Sequence, residues 1–234
     1  MKNKIKPNRR PFFRFVKGIL RIFKRKPRFV YTGEKPQGPC IYISNHSAAS
    51  GPLTYELYFP ENMRFWGTYE MCGNAEMRRK YLKDTYFGQK KKYGKARSAF
   101  CTFFACPFMG MFYKGMQIMP TYPDFRLAKT IQDSIDEIEK GVNIIIFPEN
   151  SSDGYHDVLK DFFGGFWLLA KRYHDMTGKD IRIVDMYYSR KKNLVVVGEP
   201  RSYEQLARTM SRKQATEFFL NEVNGLYFDH IKDK

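Results

Sequence analysis

Apolar and polar residues alternate along this chain with two periods, and the switch between them marks out its elements. Cys40–Ser44 (Cys-Ile-Tyr-Ile-Ser) is a short, largely apolar run after a turn-rich stretch at 33–39, and it predicts a buried strand. Residues 63–69 give a weaker strand. Leu127, Ile131, Ile135 and Ile138 fall on one face of a helix whose other side carries Asp133, Asp136, Glu137 and Glu139, with Gly141 as its stop. The strongest strand signal, 142–147 (Val-Asn-Ile-Ile-Ile-Phe), follows at once. A helix over 162–173 and strands over 181–188 and 194–198 come next. A last helix runs from a capping-box pair, Ser211 and Gln214, through about Phe228. Strands alternating with helices predict an α/β fold, a single domain with a mixed, largely parallel sheet flanked by helices.

Charge adds a second layer to this pattern. Of the formal +17, residues 1–28 supply twelve Lys/Arg with no acid, and residues 78–97 supply nine basic residues against Asp84 alone; the remainder is slightly acidic. Arg10, Arg14, Lys17, Arg21, Lys24 and Arg28 are spaced four, three, four, three, four, with Phe12, Phe13, Phe15, Val16, Ile19, Leu20, Ile22 and Phe23 between them. At 3.6 residues per turn this predicts an amphipathic helix, cations on one face and hydrocarbon on the other. Such a helix suits a membrane interface, where each basic residue near an anionic leaflet contributes about 1 kcal/mol. The competing expectation is a helix docked on the protein's own core with a solvated basic face. A secretory signal is not expected, because no continuous apolar stretch or small-residue cleavage site is present. The expected organisation is a basic membrane-interface segment at 1–29, an α/β domain at 30–202 and a helical extension packed on it at 203–234.

Residues 98–113 are uncharged, too few for the roughly 20 needed to span a bilayer. The apolar stretch as a whole runs from Ser98 to Met119, and with Pro107, Gly110 and Gly115 expected to break it, it predicts a buried or interface-dipping hydrophobic element. The basic run at 78–97 carries Tyr81, Tyr86, Phe87 and Tyr93, a mixture that nucleic-acid-binding surfaces also use. A solvated or membrane-facing basic loop is the favoured reading, and nucleic acid is the disfavoured partner. Cys40, Cys72, Cys101 and Cys106 form no Cys-x-x-Cys pair and no zinc-like spacing with the four histidines, so reduced cysteines and no metal are expected.

In α/β folds, ligands gather beyond the carboxyl ends of strands. Two predicted strand ends here carry polar clusters: Ser44-Asn45-His46-Ser47 after the first strand, and Pro148-Glu149-Asn150-Ser151-Ser152-Asp153 after the strongest one. Ile41-Tyr42-Ile43-Ser44-Asn45-His46 resembles the first block of the glycerophospholipid acyltransferases, a strand ending in Asn-His with an Asp five positions after the His. Phe147-Pro148-Glu149-Asn150 matches three of four residues of the family's Phe-Pro-Glu-Gly block. Residues 181–188 stand where the family has a further strand, and Val195-Val196-Val197-Gly198-Glu199-Pro200 resembles its closing strand and turn. The resemblance spans roughly residues 30–202, with departures. The motif Asp falls at Gly51, the Gly after Pro-Glu is Asn150, and the Arg that follows falls at Ser152. The second-block Arg falls near Pro120 and Thr121 with Arg126 as nearest substitute, and the Lys of the next helix is Phe163.

The resemblance implies acyl transfer from a thioester, acyl-CoA or acyl-carrier protein, to a hydroxyl of a lysophospholipid or related lipid, without a cofactor. It implies His46 as general base, taking the hydroxyl's proton. It also implies that another acceptor must hold the second imidazole nitrogen where the motif Asp is lost, with Glu149, Asp153 and Asp157 as candidates. Asn45 and Ser47 are candidate donors to the thioester oxygen, and Asn150, Ser151, Asp153 and Arg126 candidate substrate contacts. The expected location is peripheral, on the cytoplasmic face of a membrane. Two alternatives stay open, a lipid-binding protein of the same fold without the reaction and a basic nucleic-acid-binding protein.

Overall fold

Alternate residues of Cys40–Ser44 point into two different apolar cores, and this sets the layering of the molecule. The structure, a computed structural model, describes residues 11–150 and 154–232, so Ser151, Asp153 and the basic residues up to Arg10 lie outside the described residues. The strands are β1 (Arg28–Tyr31), β2 (Cys40–Ser44), β3 (Met63–Thr68), β4 (Met119–Thr121), β5 (Asn143–Ile146), β6 (Arg182–Ser189), β7 (Leu194–Val197) and β8 (Arg201–Ser202). They form one eight-stranded sheet in the order β1-β7-β6-β2-β5-β3-β4, with β8 on β6. The β1/β7, β2/β6, β2/β5, β3/β5 and β3/β4 pairs are parallel, and β6 pairs antiparallel with β7 and β8. This is the mixed, largely parallel sheet that the alternating pattern predicts.

Helices cover both faces: α1 (Pro11–Phe23), α2 (Ser50–Tyr58), α3 (Tyr69–Cys72), α4 (Ala75–Lys80), α5 (Lys95–Met116), α6 (Leu127–Glu139), α7 (Gly165–Thr177), α8 (Tyr203–Ala207) and α9 (Arg212–His230), with a π-helical stretch at Tyr81–Lys90. One core joins Ile41, Ile43, Ile144, Ile146 and Ile183 to the inner faces of α6, α7 and α9. The other joins Tyr42, Ile145, Val184, Met186 and Val195 to Phe13 of α1, Tyr55 of α2 and Met116 of α5. Helix α6 ends where the sequence predicts. Gly141, at φ +81°, lets its N–H bond the Ile138 carbonyl at 2.8 Å while the Val142 N–H bonds that of Glu137 at 3.0 Å. Ser211 and Gln214 form the expected capping box at the start of α9.

Two regions depart from the sequence pattern. Residues 95–116 form one helix that runs through Pro107, Gly110 and Gly115. Its support is tertiary. The buried Arg78 donates through Nε to the Cys106 carbonyl at 3.2 Å and through Nη1 to those of Met71 at 3.3 Å and Gly73 at 3.0 Å, tying α3, α4 and α5 together. Gly110 is where this guanidinium passes, since a Cβ there would lie 2.6 Å from it. Among the described residues no helix is long and apolar enough to cross a membrane.

The second departure is α1, which turns the expected docking around. Three cations of the stripe reach the protein: Lys17 pairs with the buried Glu56 at 2.7 Å, Arg21 donates to the Leu57 carbonyl at 2.7 Å, and Lys24, just past the helix, reaches Ser50 Oγ at 3.0 Å. Phe13 packs edge-on against Phe112. Phe12, Phe15, Ile19, Ile22 and Phe23 are left exposed, Phe23 at 82%. The helix therefore docks in part through its basic face, while Arg14 and Arg28 of the stripe stay exposed. The chain then enters β1 at Arg28, inside the segment assigned to the membrane interface.

Candidate active site

Strands β2 and β5 are neighbours in register, Ile43 beside Ile146, so the two polar clusters leave the sheet side by side. Sequence proximity could not show this; the parallel pairing of two Ile-rich strands creates it. The loop after β2 runs through Ser47 (φ 46°) and Ala48 (φ 52°), both left-handed, before α2 begins. That reversal folds the chain back under the imidazole. His46 is half-buried, its ring centroid 4.9 Å from that of Phe147 and 5.2 Å from that of Tyr155.

Ring nitrogen Nδ1 of His46 lies 2.6 Å from the Ala48 carbonyl oxygen. A carbonyl only accepts, so Nδ1 carries the proton and the basic lone pair belongs to Nε2. The task of fixing the tautomer is thus met by a main-chain dipole from the same loop. Gly51 packs on the same loop: a Cβ there would sit 2.4 Å from the His46 carbonyl oxygen, so α2 starts too close to the loop for a side chain.

The buried Glu149 reaches His46 through the main chain. Its Oε2 accepts from the His46 N–H at 3.0 Å, which makes it a positioning residue for the loop in this geometry. It is bracketed in turn by a bridge to Phe162, and the Asn150 N–H donates to the Asp161 carbonyl at 3.0 Å.

Asn45 does not serve as the expected donor to a thioester. It is 3% exposed, its Nδ2 donates to the Tyr188 carbonyl at 3.0 Å and its Oδ1 accepts from the Tyr188 N–H at 2.8 Å. The side chain continues the β2/β6 ladder past the end of β2, so its amide is spent on the sheet. Beneath it, Ser44 Oγ and Tyr55 Oη are 2.7 Å apart, and burial pushes the Tyr55 phenol up, so it stays protonated. Arg126 is not brought to the site. It stands past β4, three strands from β2 or about 14 Å at ordinary strand spacing. Asp124 takes its guanidinium at 2.6 Å and the Tyr122 ring lies 4.3 Å below it.

Beside the His46 loop opens a cavity of about 670 Å³. Ser47 and Ala48 form part of its wall, with Tyr155, Asp157, Tyr187 and Tyr188, and basic side chains from three other segments complete it. Burial raises the Tyr187 phenol, whose hydroxyl donates to the Asp157 carbonyl at 2.7 Å. Sequence reasoning missed Ala48, which contributes only a carbonyl, and Tyr155. It also passed over Arg190-Lys191-Lys192, a basic turn between two predicted strands that a charge count along the chain could have flagged. Among the described residues no group of His, Cys, Asp and Glu could hold a metal ion.

No protein-family model and no curated protein matches the chain. Among solved structures it is similar to the crystal structure of the 1-acyl-sn-glycerophosphate (LPA) acyltransferase PlsC from Thermotoga maritima. The TM-score is 0.51 at 13% identity, over 95% of this chain and 81% of that chain. At that identity the likeness shows the fold: a single α/β domain with a mostly parallel, mixed sheet flanked by helices.

Proposed function

We propose that this protein is an O-acyltransferase at a membrane surface, moving a fatty acyl group from acyl-CoA or acyl-carrier protein to a lysophospholipid or related lipid hydroxyl. The observation that carries the reading is His46, half-buried beyond the carboxyl ends of β2 and β5, with Nδ1–H on the Ala48 carbonyl and its loop neighbours Ser47 and Ala48 in the wall of a cavity. The fold it shares with an LPA acyltransferase supports the same chemistry.

In that reaction the acceptor oxygen attacks the thioester carbonyl carbon as Nε2 takes its proton. The tetrahedral intermediate then expels the thiolate, which recovers the proton from the imidazolium, giving an ester and a free thiol. The Ala48 carbonyl aligns the ring but carries no full charge, so it stabilises the imidazolium less than a carboxylate does. Ser47, in the wall of the cavity, is the candidate donor to the oxyanion.

The membrane part of the reading rests on exposed hydrocarbon. Besides the exposed residues of α1, helix α5 exposes Phe100, Phe103, Phe104 and Phe108, each at 58% or more. Aromatic area of this kind left in water is an interaction surface, and an amphipathic helix buries such a face at the headgroup boundary. Peripheral attachment on the cytoplasmic face belongs to the same proposal.

The test is acyl transfer from a panel of acyl-CoA and acyl-carrier-protein donors to lysophospholipids in mixed micelles. His46→Ala should lower turnover at least 10²-fold with an unchanged melting temperature. Undiminished turnover removes His46 from the mechanism, and a silent parent over the whole panel favours the lipid-binding alternative.

A further inference from the structure

We infer that Lys24 is a positioning residue for the His46 loop, holding α2 by both ends and resting on the ring of Tyr188. This inference rests on the acyltransferase reading of that loop and adds a residue from a segment the reaction does not otherwise use. Lys24 follows the last turn of α1, where its N–H bonds the Leu20 carbonyl at 2.9 Å. Its own carbonyl accepts from the hydroxyl of Tyr58, the last residue of α2. Its ammonium, at the end of a half-buried side chain, donates at 3.0 Å to Oγ of Ser50, the first residue of α2. One residue is thereby tied to both ends of the helix that follows the loop.

Ser50 carries this hold to the imidazole. Its N–H donates to the Ser47 carbonyl at 3.2 Å, closing the turn that contains Ala48, and the Ala48 carbonyl takes Nδ1 of His46 at 2.6 Å. Ser50 Oγ also lies 3.3 Å from the hydroxyl of the buried Tyr188. The main chain of Tyr188 pairs in turn with the Asn45 side chain at the start of the loop. One tyrosine therefore holds the loop at both its ends, and the Lys24 ammonium sits 5.8 Å over that ring. A helix N-terminus by itself disfavours a nearby cation. At α2 the Ser50 oxygen and the Tyr188 π-face converge on the ammonium and offset that cost. Removing the ammonium frees the Ser50–Tyr188 pair and the turn behind it, and a 1 Å error at a catalytic group costs about 10²-fold.

Lys24→Met keeps most of the side chain's length and removes its donors. Arg25→Met, one residue along and exposed, removes the same charge and is the control. Acyl transfer is measured with the full chain in mixed micelles. Nitrogen NMR of isotope-labelled histidine reads the His46 tautomer without needing turnover, with His46→Ala assigning the signal. Lys24→Met should lower kcat about tenfold at an unchanged KM and move part of His46 from the Nδ1–H to the Nε2–H form. Lys24→Arg, which retains a donor, should restore most of both. Ser50→Ala should reproduce the loss, and Lys24→Met/Ser50→Ala should be no worse than the worse single variant, because the two act in one chain of contacts. Arg25→Met should keep the parent's rate and tautomer. A parent-like rate and tautomer in Lys24→Met, losses that add in the double variant, or an equal loss in Arg25→Met overturns the inference. Failure of the acyltransferase reading is seen separately, as a parent with no acyl transfer. The tautomer then decides alone: a shift in Lys24→Met upholds its hold on the loop, and an unchanged tautomer overturns it.

Discussion

Replacing Gly51 tests how closely α2 packs on the His46 loop. A Cβ built there lies 2.4 Å from the His46 carbonyl oxygen and 3.2 Å from its carbonyl carbon. Carbon and carbonyl oxygen rest at about 3.3 Å or more, so something must give by roughly 0.9 Å. The atom met is main chain, in a loop already left-handed at Ser47 and Ala48, so no side chain can swing aside. Overpacking of this kind costs about 1–3 kcal/mol, or about 2–12 °C of melting temperature for a domain of this size. The same displacement moves the Ala48 carbonyl off Nδ1, and a 1 Å error at a catalytic group costs about 10²-fold. Gly51→Ala and Gly51→Asp should therefore both melt lower and both lose acyl transfer, followed by circular dichroism and by thiol release. A Gly51→Ala protein with the parent's melting temperature and rate refutes the close-approach argument. A Gly51→Asp protein faster than its parent shows that a carboxylate fits and does better than the carbonyl.

Three further outcomes follow from the structure. Asp185 is 1% exposed, and burial, only partly offset by Arg201, raises its pKa from 3.8 to about 6. The folded state then holds a proton that the unfolded state has released, so stability falls as pH rises from about 4 to 6 and stays low above that. Asp185→Asn should be on the order of 3 kcal/mol more stable than the parent at pH 7.5 and about equal to it at pH 4; a pH-independent difference between their urea midpoints contradicts this. Arg78→Met leaves three carbonyls of the β3–β4 crossover without their donor, so hydrogen exchange should accelerate through residues 69–116 while β2, β5 and β6 keep their protection. Phe15→Ser/Ile19→Ser/Phe23→Ser should lose most sedimentation with anionic vesicles at any salt concentration, because hydrocarbon rather than the protein-bound cations makes the contact; retention of binding that salt then abolishes reverses that assignment.

The sheet was legible because its strands are buried on both faces, and continuous runs such as 142–147 have few other homes. The elements that escaped the sequence pattern are those whose support comes from elsewhere in the chain. Strand β1 is four residues that alternate weakly, and it exists because Val195 and its neighbours in β7 pair with it. Helix α5 carries Pro107 and two glycines that local propensity reads as breaks. Arg78 and the Phe13 ring, which lies against Gly115, fill the space that those small residues leave. The α1 period was legible, but its orientation was not. Which face a helix docks depends on what it meets, and here Glu56 is a buried carboxylate that only a cation can match.

The site divides along the same line. That His46 and Glu149 would meet could be read from two polar clusters at the ends of two apolar strands, since adjacent parallel strands deliver their carboxyl ends together. What each residue does there depends on atoms that a sequence does not distinguish. Asn45 and Glu149 both carry groups able to contact substrate, yet one completes a β-ladder with Tyr188 and the other holds a main-chain N–H. The partner of Nδ1 is a carbonyl, which every residue possesses, so no residue type could announce it. Gly51 and the Ala48 carbonyl belong to one local arrangement. Gly51 lets α2 close on the loop, and that close approach goes with the left-handed pair at Ser47 and Ala48 that turns the Ala48 carbonyl toward Nδ1. At Nδ1 the orienting contact thus comes from the loop's own main chain, which a search among acidic side chains passes over.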